Sequence, residues 1–400
     1  MKYVIVLGDG MSDYPLPSLG NKTPIEVANT PNIDYLAKYG QVGLCKTVPN
    51  TMAPGSDVAN LSVIGYDPEV YYTGRSPLEA VSLGIDMASN DIALRCNLVT
   101  LSDEEEFSDK TMLDYSAGEI STEEAKAIIQ SIQNELGTED LKFYNGVSYR
   151  HCVIDKQGSM DIDLTPPHDI LEQKITHYLP KGEEAQKYIE LMEQSNKILQ
   201  KHPINIERGK KGINQATHIW LWGQGKKPKL DNFYQKYKLK GGIISAVDLL
   251  KGIAIAAGME PISVEGATGT LTTNFAGKAQ ACLDALDRGL DYIYLHIEAP
   301  DECSHQGDLR GKIKAIEKVD EVVGWVFDKL NQGDEDFVIG VLPDHPTPLS
   351  LRTHTSDAVP YVIYKSNNKL NLGIQYNEKE APKGEYLDKG IHFIQKMLQK

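Results

Sequence analysis

Four short segments of this 400-residue chain concentrate the side chains that could do chemistry. Gly8-Asp9-Gly10 follows an apolar run, and Pro54-Gly55-Ser56-Asp57 opens a helix-like stretch, VANLSVIGY. Ala299-Pro300-Asp301-Glu302-Cys303-Ser304-His305 sets an acid and an imidazole four residues apart. Leu342-Pro343-Asp344-His345-Pro346-Thr347-Pro348 ends another apolar run, with Arg352-Thr353-His354-Thr355-Ser356-Asp357 close behind. Carboxylate plus imidazole is a donor set that suits Zn²⁺ or Mn²⁺. A serine at a helix start stands where backbone N–H groups bind phosphate. Plainer readings stay open for three of these. Asp9 can bond the backbone of its own turn, Ser56 can be a helix N-cap, and Asp301 with His305 can be a surface pair. Asp344-His345 is harder to explain as packing, because a buried acid and imidazole need partners or a metal. Three aspartates, three histidines and a serine together would furnish two sites of about three protein ligands each, and two divalent ions ~4 Å apart can clamp an in-line displacement. Such an ion also lowers the pKa of a serine hydroxyl. The chemistry predicted is phosphoryl transfer with Ser56 as the covalent nucleophile.

Residues so far apart need a scaffold that brings them together. Residues 3–7 are an unbroken apolar run closed by a Gly-rich turn, the pattern of a buried parallel strand. Residues 291–297 (DYIYLHI) and 336–342 (DFVIGVL) repeat it, and 359–364 (VPYVIY) resembles another strand. Helical stretches are expected over 32–39, 245–257, 277–287, 309–330 and 386–399. This alternation predicts an α/β fold, a mostly parallel sheet sandwiched by helices. In such sheets ligands bind beyond the carboxyl ends of the strands, so polar clusters that follow a strand or open a helix can converge there. Residues 89–180 differ in texture, with strand-like segments (ALRCNLVTL, VSYRHCVID, SMDIDLT), an acidic loop and one helix over 123–136. They read as a smaller α+β domain inserted into a core of 1–88 and 181–400, with a polar helix over 183–201 leading back.

Composition narrows the partners. The formal net charge of −15 argues against a nucleic-acid binder, whose footprint is basic. An anionic substrate then requires metal ions or placed arginines to reverse the field locally. Arginine is scarce: Arg75, Arg95, Arg150, Arg208, Arg288, Arg310 and Arg352 are all there are. The five cysteines never form a CxxC pair and read as reduced thiols. The N-terminal apolar run is too short for a signal peptide, and no later run is long enough to span a bilayer. A soluble, cytoplasmic protein with no membrane partner is expected. Its oligomeric state is left open.

As an ensemble, VLGDG, PGSDVAN, HIEAPDECSHQGD, LPDHPTP and RTHTSDAVP resemble the alkaline phosphatase superfamily. More narrowly, the chain is similar to the archaeal-type cofactor-independent phosphoglycerate mutases, a group with a proposed homoserine kinase branch. YYTGRSPLEA, RCNLVTL, GGIISAVDLLKGI and VEGATGTLTTNFAGKA extend the likeness to nearly the whole chain. The resemblance implies that Ser56 is phosphorylated and shares a metal with Asp9, Asp344 and His345. Asp301, His305 and His354 would bind the second metal. The ions would be Mn²⁺ or Zn²⁺, with Mg²⁺ or Co²⁺ as alternatives, and no 2,3-bisphosphoglycerate would be needed. The inserted domain would be a substrate-binding cap that closes over the metals.

The substrate would be a small phosphorylated metabolite or an amino acid. Arg75, in a Thr-Gly-Arg turn, and Arg95 are the first candidates to grip phosphate or carboxylate, because arginine does so bidentately. Arg150 and His151 come next, and a surface salt bridge is the plain alternative for each arginine. The resemblance breaks at one place: where archaeal-type mutases carry an Arg-rich segment like DRRAGRI, this chain has Asp114-Tyr115-Ser116-Ala117-Gly118-Glu119-Ile120. Interconversion of 2- and 3-phosphoglycerate is the leading expectation, a homoserine kinase the second, and a phosphatase the third. No GxxxxGK[ST] occurs, so a kinase would have to hold nucleotide phosphates through its metals.

Overall fold

The computed structural model describes residues 1–182 and 184–399. In chain order its strands begin with β1 (Lys2–Gly8), β2 (Gln41–Cys45), β3 (Ile92–Leu101), β4 (Met112–Asp114), β5 (Leu141–Val147), β6 (Arg150–Asp155), β7 (Ile162–Asp163) and β8 (Lys181–Gly182). They continue with β9 (His218–Lys226), β10 (Gly241–Ile244), β11 (Glu260–Ile262), β12 (Tyr292–Ile297), β13 (Phe337–Leu342), β14 (Val359–Lys365) and β15 (Glu385–Leu387). The chain divides into two compact units, Met1–Tyr72 with Lys229–Lys400, and Thr73–Pro228.

The first unit is built on an eight-stranded sheet ordered β11-β10-β12-β1-β13-β14-β2-β15. All neighbours pair in parallel except β14, which runs antiparallel to both β13 and β2. β12 and β13 are buried at every position, as expected of strands covered on both faces. On one face Val4, Val6, Ile293 and Leu295 pack with Ile33, Ala279, Cys282, Val319 and Val323 from the helices Pro31–Tyr39, Phe275–Asp287 and Leu309–Asn331. On the other, Gly340 of β13 lies against Phe393 and Met397 of the helix Ile391–Leu398. The mostly parallel sheet between helices is therefore present as expected.

Two helix starts differ from the expectation, for tertiary reasons. The stretch 386–399 is helical only from Ile391, because Glu385–Leu387 pairs as a strand with β2. The stretch 245–257 is helical only from Asp248, because the Ser245 hydroxyl and the Ala246 N–H are engaged by the Glu298 carboxylate.

The second unit centres on β3, antiparallel to β4, β6 and β9, with β5 beyond β6. Leu94, Leu98, Val153, Ile219 and Leu221 share a core with Ile128 and Ile132 of the helix Thr122–Leu136 and Met192 and Leu199 of the helix Ala185–Leu199. This unit is wider than the 89–180 span read from texture. The chain after residue 180 supplies β9, which pairs with β3 from Ile92 to Val99. Before residue 89, Ala80 of the helix Ser76–Ser82 packs with Ala93 and Cys152. Of the predicted polar helix 183–201, Glu183 lies outside the described residues. Among the described residues no helix is long and apolar enough to cross a membrane.

Candidate metal centre

The carboxyl ends of adjacent strands bring the polar clusters to one edge of the main sheet. Leu7 of β1 is in register with His296 of β12 and with Leu342 of β13. Asp9 and Asp344 therefore leave neighbouring strands at the same level. Gly10 makes the turn after Asp9 in a left-handed conformation, φ +59°, and its N–H donates to Asp344 Oδ1 at 3.1 Å. A Cβ there would lie 2.5 Å from Asp301 Oδ1 and from Thr347 Oγ1, so only glycine lets these loops meet. Ser56 is the first residue of the helix Ser56–Ile64, whose N-cap, Gly55, contributes no side chain. Asp301 and His305 are one helical turn apart on Ala299–His305, which puts both side chains on one face.

The distances close the cluster. Ser56 Oγ is 3.1 Å from His345 Nε2, which is 3.3 Å from Asp344 Oδ2 and 3.7 Å from Asp9 Oδ1. Asp301 Oδ2 is 3.1 Å from His305 Nε2, and Asp301 Oδ1 is 3.5 Å from His354 Nε2. The His345 and His354 rings stack with centroids 4.0 Å apart. Thr347 Oγ1 donates to Asp301 Oδ1 at 2.6 Å and stands 3.2 Å from His345 Nδ1, joining the two groups. All seven residues singled out in the sequence thus converge.

The electrostatics are those of a cation site. Donor atoms of Asp301, His305 and His354 lie within 4.8 Å of one another, as do those of Asp9, His296 and Asp344, and those of Asp9, Asp301 and His345. Burial, reinforced by the Asp344 and Asp301 carboxylates, pushes the Asp9 carboxyl well above its usual range. Its Oδ1 is buried and accepts no hydrogen bond from a described residue. Burial opposes ionisation of Asp301, but hydrogen bonds from His305 and His354 hold it well below the usual carboxylate range. The same bond to Asp301 lifts His305 to about 9. Burial lowers His345. Clustered carboxylates, one with an orphaned oxygen, surrounded by imidazoles are a donor set that fits divalent cations.

Sequence reasoning missed the residues around this set. Asn60, one turn after Ser56, donates to the Ser56 carbonyl and to Asp344 Oδ2, both at 2.8 Å, and accepts from the Tyr294 hydroxyl at 2.6 Å. His296 Nε2 lies 3.0 Å from Asp9 Oδ2. Burial alone would lower His296, yet the Glu298 and Asp9 carboxylates lift it to about 10. The available signal was a polar His and Glu two residues apart at the end of an apolar strand, a spacing that shares one face.

The arginine candidates lie in the second unit. Glu79 accepts from Arg75 Nε at 2.8 Å, and Arg95 Nε lies 3.2 Å from its other oxygen. Burial lowers the Arg95 guanidinium to about 10, Glu79 opposing, and it stacks 4.3 Å over Trp222. Arg150 acts on Glu79 from β6 and lies 5.3 Å over the Tyr149 ring. His151 is not with them. It alternates to the other face of β6 and is buried, with Nδ1 accepting from the Gly146 N–H, and burial lowers it to about 3. In the segment 114–120, Ala117, Gly118 and Glu119 are all left-handed, and Arg208 reaches in to donate to the Ala117 carbonyl at 2.6 Å. That guanidinium is buried and also engages Asn214 and Glu124.

Comparison with known proteins identifies the family. Residues 37–205 match the family described as 2,3-bisphosphoglycerate-independent phosphoglycerate mutase. A protein of that name from Methanosarcina barkeri is 47% identical over 387 residues, 96% of each chain. A probable one from Geobacter sulfurreducens is 47% identical over 403 residues, spanning both chains completely. The solved cofactor-independent phosphoglycerate mutase from Thermoplasma acidophilum superposes with a TM-score of 0.65 at 25% identity, covering 100% of this chain and 99% of that one. With near-half identity sustained end to end, the chain belongs to the 2,3-bisphosphoglycerate-independent phosphoglycerate mutase family.

Proposed function

We propose that the protein interconverts 2- and 3-phosphoglycerate through a phosphoserine at Ser56. The observation that carries this reading is the convergence of the Ser56 hydroxyl, at a helix N-terminus, on two carboxylate–imidazole groups. Asp9, Asp344 and His345, with Ser56, would hold one divalent ion, and Asp301, His305 and His354 the other. Bound there, such ions supply Lewis-acid stabilisation of charge on the phosphoryl oxygens. Mn²⁺ and Zn²⁺ suit the donor set best. Ser56 Oγ forms a bond to phosphorus as the ester oxygen of the incoming phosphoglycerate leaves. In the second half the other hydroxyl of the same glycerate attacks phosphorus, and the Ser56 oxygen leaves. The proton that the Ser56 hydroxyl loses in the first half matches the one the released glycerate oxygen takes up. The second half reverses that exchange, and the two halves balance without nucleotide or 2,3-bisphosphoglycerate. Backbone N–H groups at the start of Ser56–Ile64 orient the phosphoryl group, and Asn60 holds that helix turn against Asp344.

Arg75, Arg95 and Arg150 form the anion grip in this reading, with the second unit as the substrate-binding domain. His151 is left out because its side chain is buried behind β6. A cytoplasmic location belongs to the same reading, in keeping with five free, buried cysteines. One observation favours a homoserine kinase as the second reading: Glu119 is exposed and acts electrostatically on Tyr149, beside Arg150, offering a carboxylate to an ammonium group. Purified Mn²⁺-loaded protein, given 3-phosphoglycerate with no nucleotide, is expected to form 2-phosphoglycerate, detected by a coupled dehydratase. Absence of product, with ATP-dependent phosphorylation of homoserine instead, overturns the mutase reading.

A further inference from the structure

Beside the proposed metal ligands runs a line of buried charged groups that the phosphoryl chemistry does not use. Lys278, on the helix Phe275–Asp287, has no exposed surface. Its ammonium donates to Glu298 Oε2 at 2.5 Å and to the His296 carbonyl at 2.9 Å. The other Glu298 oxygen accepts from the Ser245 hydroxyl at 3.0 Å and the Ala246 N–H at 2.8 Å, and lies 3.1 Å from His296 Nδ1. The far ring nitrogen of His296 is 3.0 Å from Asp9 Oδ2. The line ends at Asp9 Oδ1, the oxygen left without a hydrogen bond among the described residues. Charges alternate along it: ammonium, carboxylate, imidazole, carboxylate.

We propose that Lys278, Glu298 and His296 are positioning residues that fix the Asp9 carboxylate by one oxygen, so that the other is presented to a divalent cation, and thereby set the affinity of that site alone. This rests on the reading that Asp9, Asp344 and His345 hold an ion. A free carboxylate turns about its last torsion and offers a cation either oxygen or both. The His296 ring nitrogen, 3.0 Å from Oδ2 as an ion pair and with no hydrogen bond of its own among the described residues, restricts that freedom. The imidazole can pin it only if its own ring is fixed, and Glu298 does this at the opposite nitrogen. Glu298 in turn is held at both oxygens, by Lys278 on one and by Ser245 and Ala246 on the other. Such outer partners of a metal-binding carboxylate typically alter metal affinity ~10–100-fold when removed. The second proposed site, Asp301 with His305 and His354, meets the line only through the backbone, where the Asp301 N–H donates to the Glu298 carbonyl at 3.1 Å. Glu298→Gln retains that bond, so the second site serves as an internal control. Asp301 takes its support from Thr347 instead.

The test is Mn²⁺ binding to metal-stripped, full-length protein, followed by the electron paramagnetic resonance signal of free Mn²⁺, with circular dichroism to confirm the fold. Wild-type protein is expected to bind two ions. If it binds none, the metal reading itself fails, which is a different failure from that of the relay. Glu298→Gln keeps the shape and removes the charge, and is expected to weaken one ion ~10–100-fold while leaving the other within about twofold. Lys278→Met leaves a buried carboxylate unpaired and can compromise folding. The double variant Lys278→Met/Glu298→Gln removes that charge and is expected to bind no more weakly than Glu298→Gln alone, as members of one relay should. Two wild-type affinities in Glu298→Gln, or equal losses at both sites, overturn the proposal. Pulsed resonance of the Mn²⁺-loaded protein supplies a second readout: a nitrogen coupling that vanishes in His296→Asn would make His296 a ligand and overturn its positioning role.

Discussion

At the scale of single residues, the reading depends on Ser56 Oγ standing 3.1 Å from His345 Nε2. Ser56→Ala keeps a small residue at the first helical position beneath Gly55, so the fold should persist. Turnover should fall at least ~1,000-fold, since the hydroxyl that carries the phosphate in this reading is gone. Mass spectrometry of substrate-quenched wild-type protein should find phosphate on the Ser56 peptide, and an active alanine variant would refute covalent catalysis. His305 carries a pH prediction. Its hydrogen bond to Asp301 lifts it to about 9, so the metal-free protein holds that proton at neutral pH. A histidine binds a metal only as the neutral base, so cation uptake must displace the proton, and affinity should rise about tenfold per pH unit until about pH 9. Calorimetry in buffers of different ionisation enthalpy should record about one proton released per ion at neutral pH and about none well above pH 9. Equal proton release at both would contradict the assignment. Ser56, Asp9, Asp344 and His345 were legible in the sequence because each opens a helix-like stretch or follows an apolar run. Asp301 and His305 were legible by their four-residue spacing after a strand, and His354 by its place nine residues after His345, with the family resemblance supplying their roles. Asn60, His296 and Lys278 were not, because an amide or a charge inside an apolar segment acquires its meaning only from the partner that packing gives it.

At the scale of elements, the site is made by where strands stop. β1, β12 and β13 end side by side, and three different turns leave that edge. Their apolar runs announced the strands; the stops of β10 and β15 were hidden. Ser245 and Ala246 resemble helix starters in isolation, and only Glu298 shows why the helix does not begin there. The Gly10 turn gives the sharpest test. Gly10→Ala forces a left-handed alanine, costing ~1–2 kcal/mol, and drives its Cβ into Asp301 and Thr347. The metal-free variant should melt several degrees lower, and the rise in Tm that Mn²⁺ produces should shrink as Asp301 is displaced. A Mn²⁺-induced rise equal to that of wild type would show that the turn does not set the site. Lys312 supports the neighbouring turn in the same way, fully buried and donating to Asp13 Oδ2 at 2.8 Å and to the Thr347 carbonyl at 2.9 Å.

At the scale of the whole molecule, the sequence disclosed an α/β core with an insertion but misjudged where the insertion ends. THIWLWGQG, which becomes most of β9, has the apolar character of a core strand, and only its pairing with β3 assigns it to the second unit. In the proposed reading substrate choice belongs to that unit, which also holds the segment where the family pattern breaks. An exposed Glu119 repels an anion and attracts an ammonium, by ~1 kcal/mol when solvated at 4 Å and ~4 kcal/mol when half-shielded. Its exposure favours the smaller figure. Arg75, Arg95 and Arg150 gather around Glu79 and pull the other way, toward a phosphorylated carboxylate. Three cations, partly offset by the Glu79 carboxylate they surround, against one solvated acid still leave the mutase ahead. Glu119→Arg removes a repulsion of ~1 kcal/mol and adds an attraction of similar size, so it should lower KM for phosphoglycerate about thirtyfold, the equivalent of ~2 kcal/mol, with kcat little changed, because the acid acts on binding. A kinase with an amino-acid acceptor would respond in the opposite sense, losing homoserine phosphorylation in the same variant. Steady-state kinetics of both proteins with both substrate pairs decides between them. Robust mutase turnover in the unaltered protein with no ATP-dependent product excludes the kinase, while ATP-dependent phosphorylation of homoserine abolished by Glu119→Arg excludes the mutase.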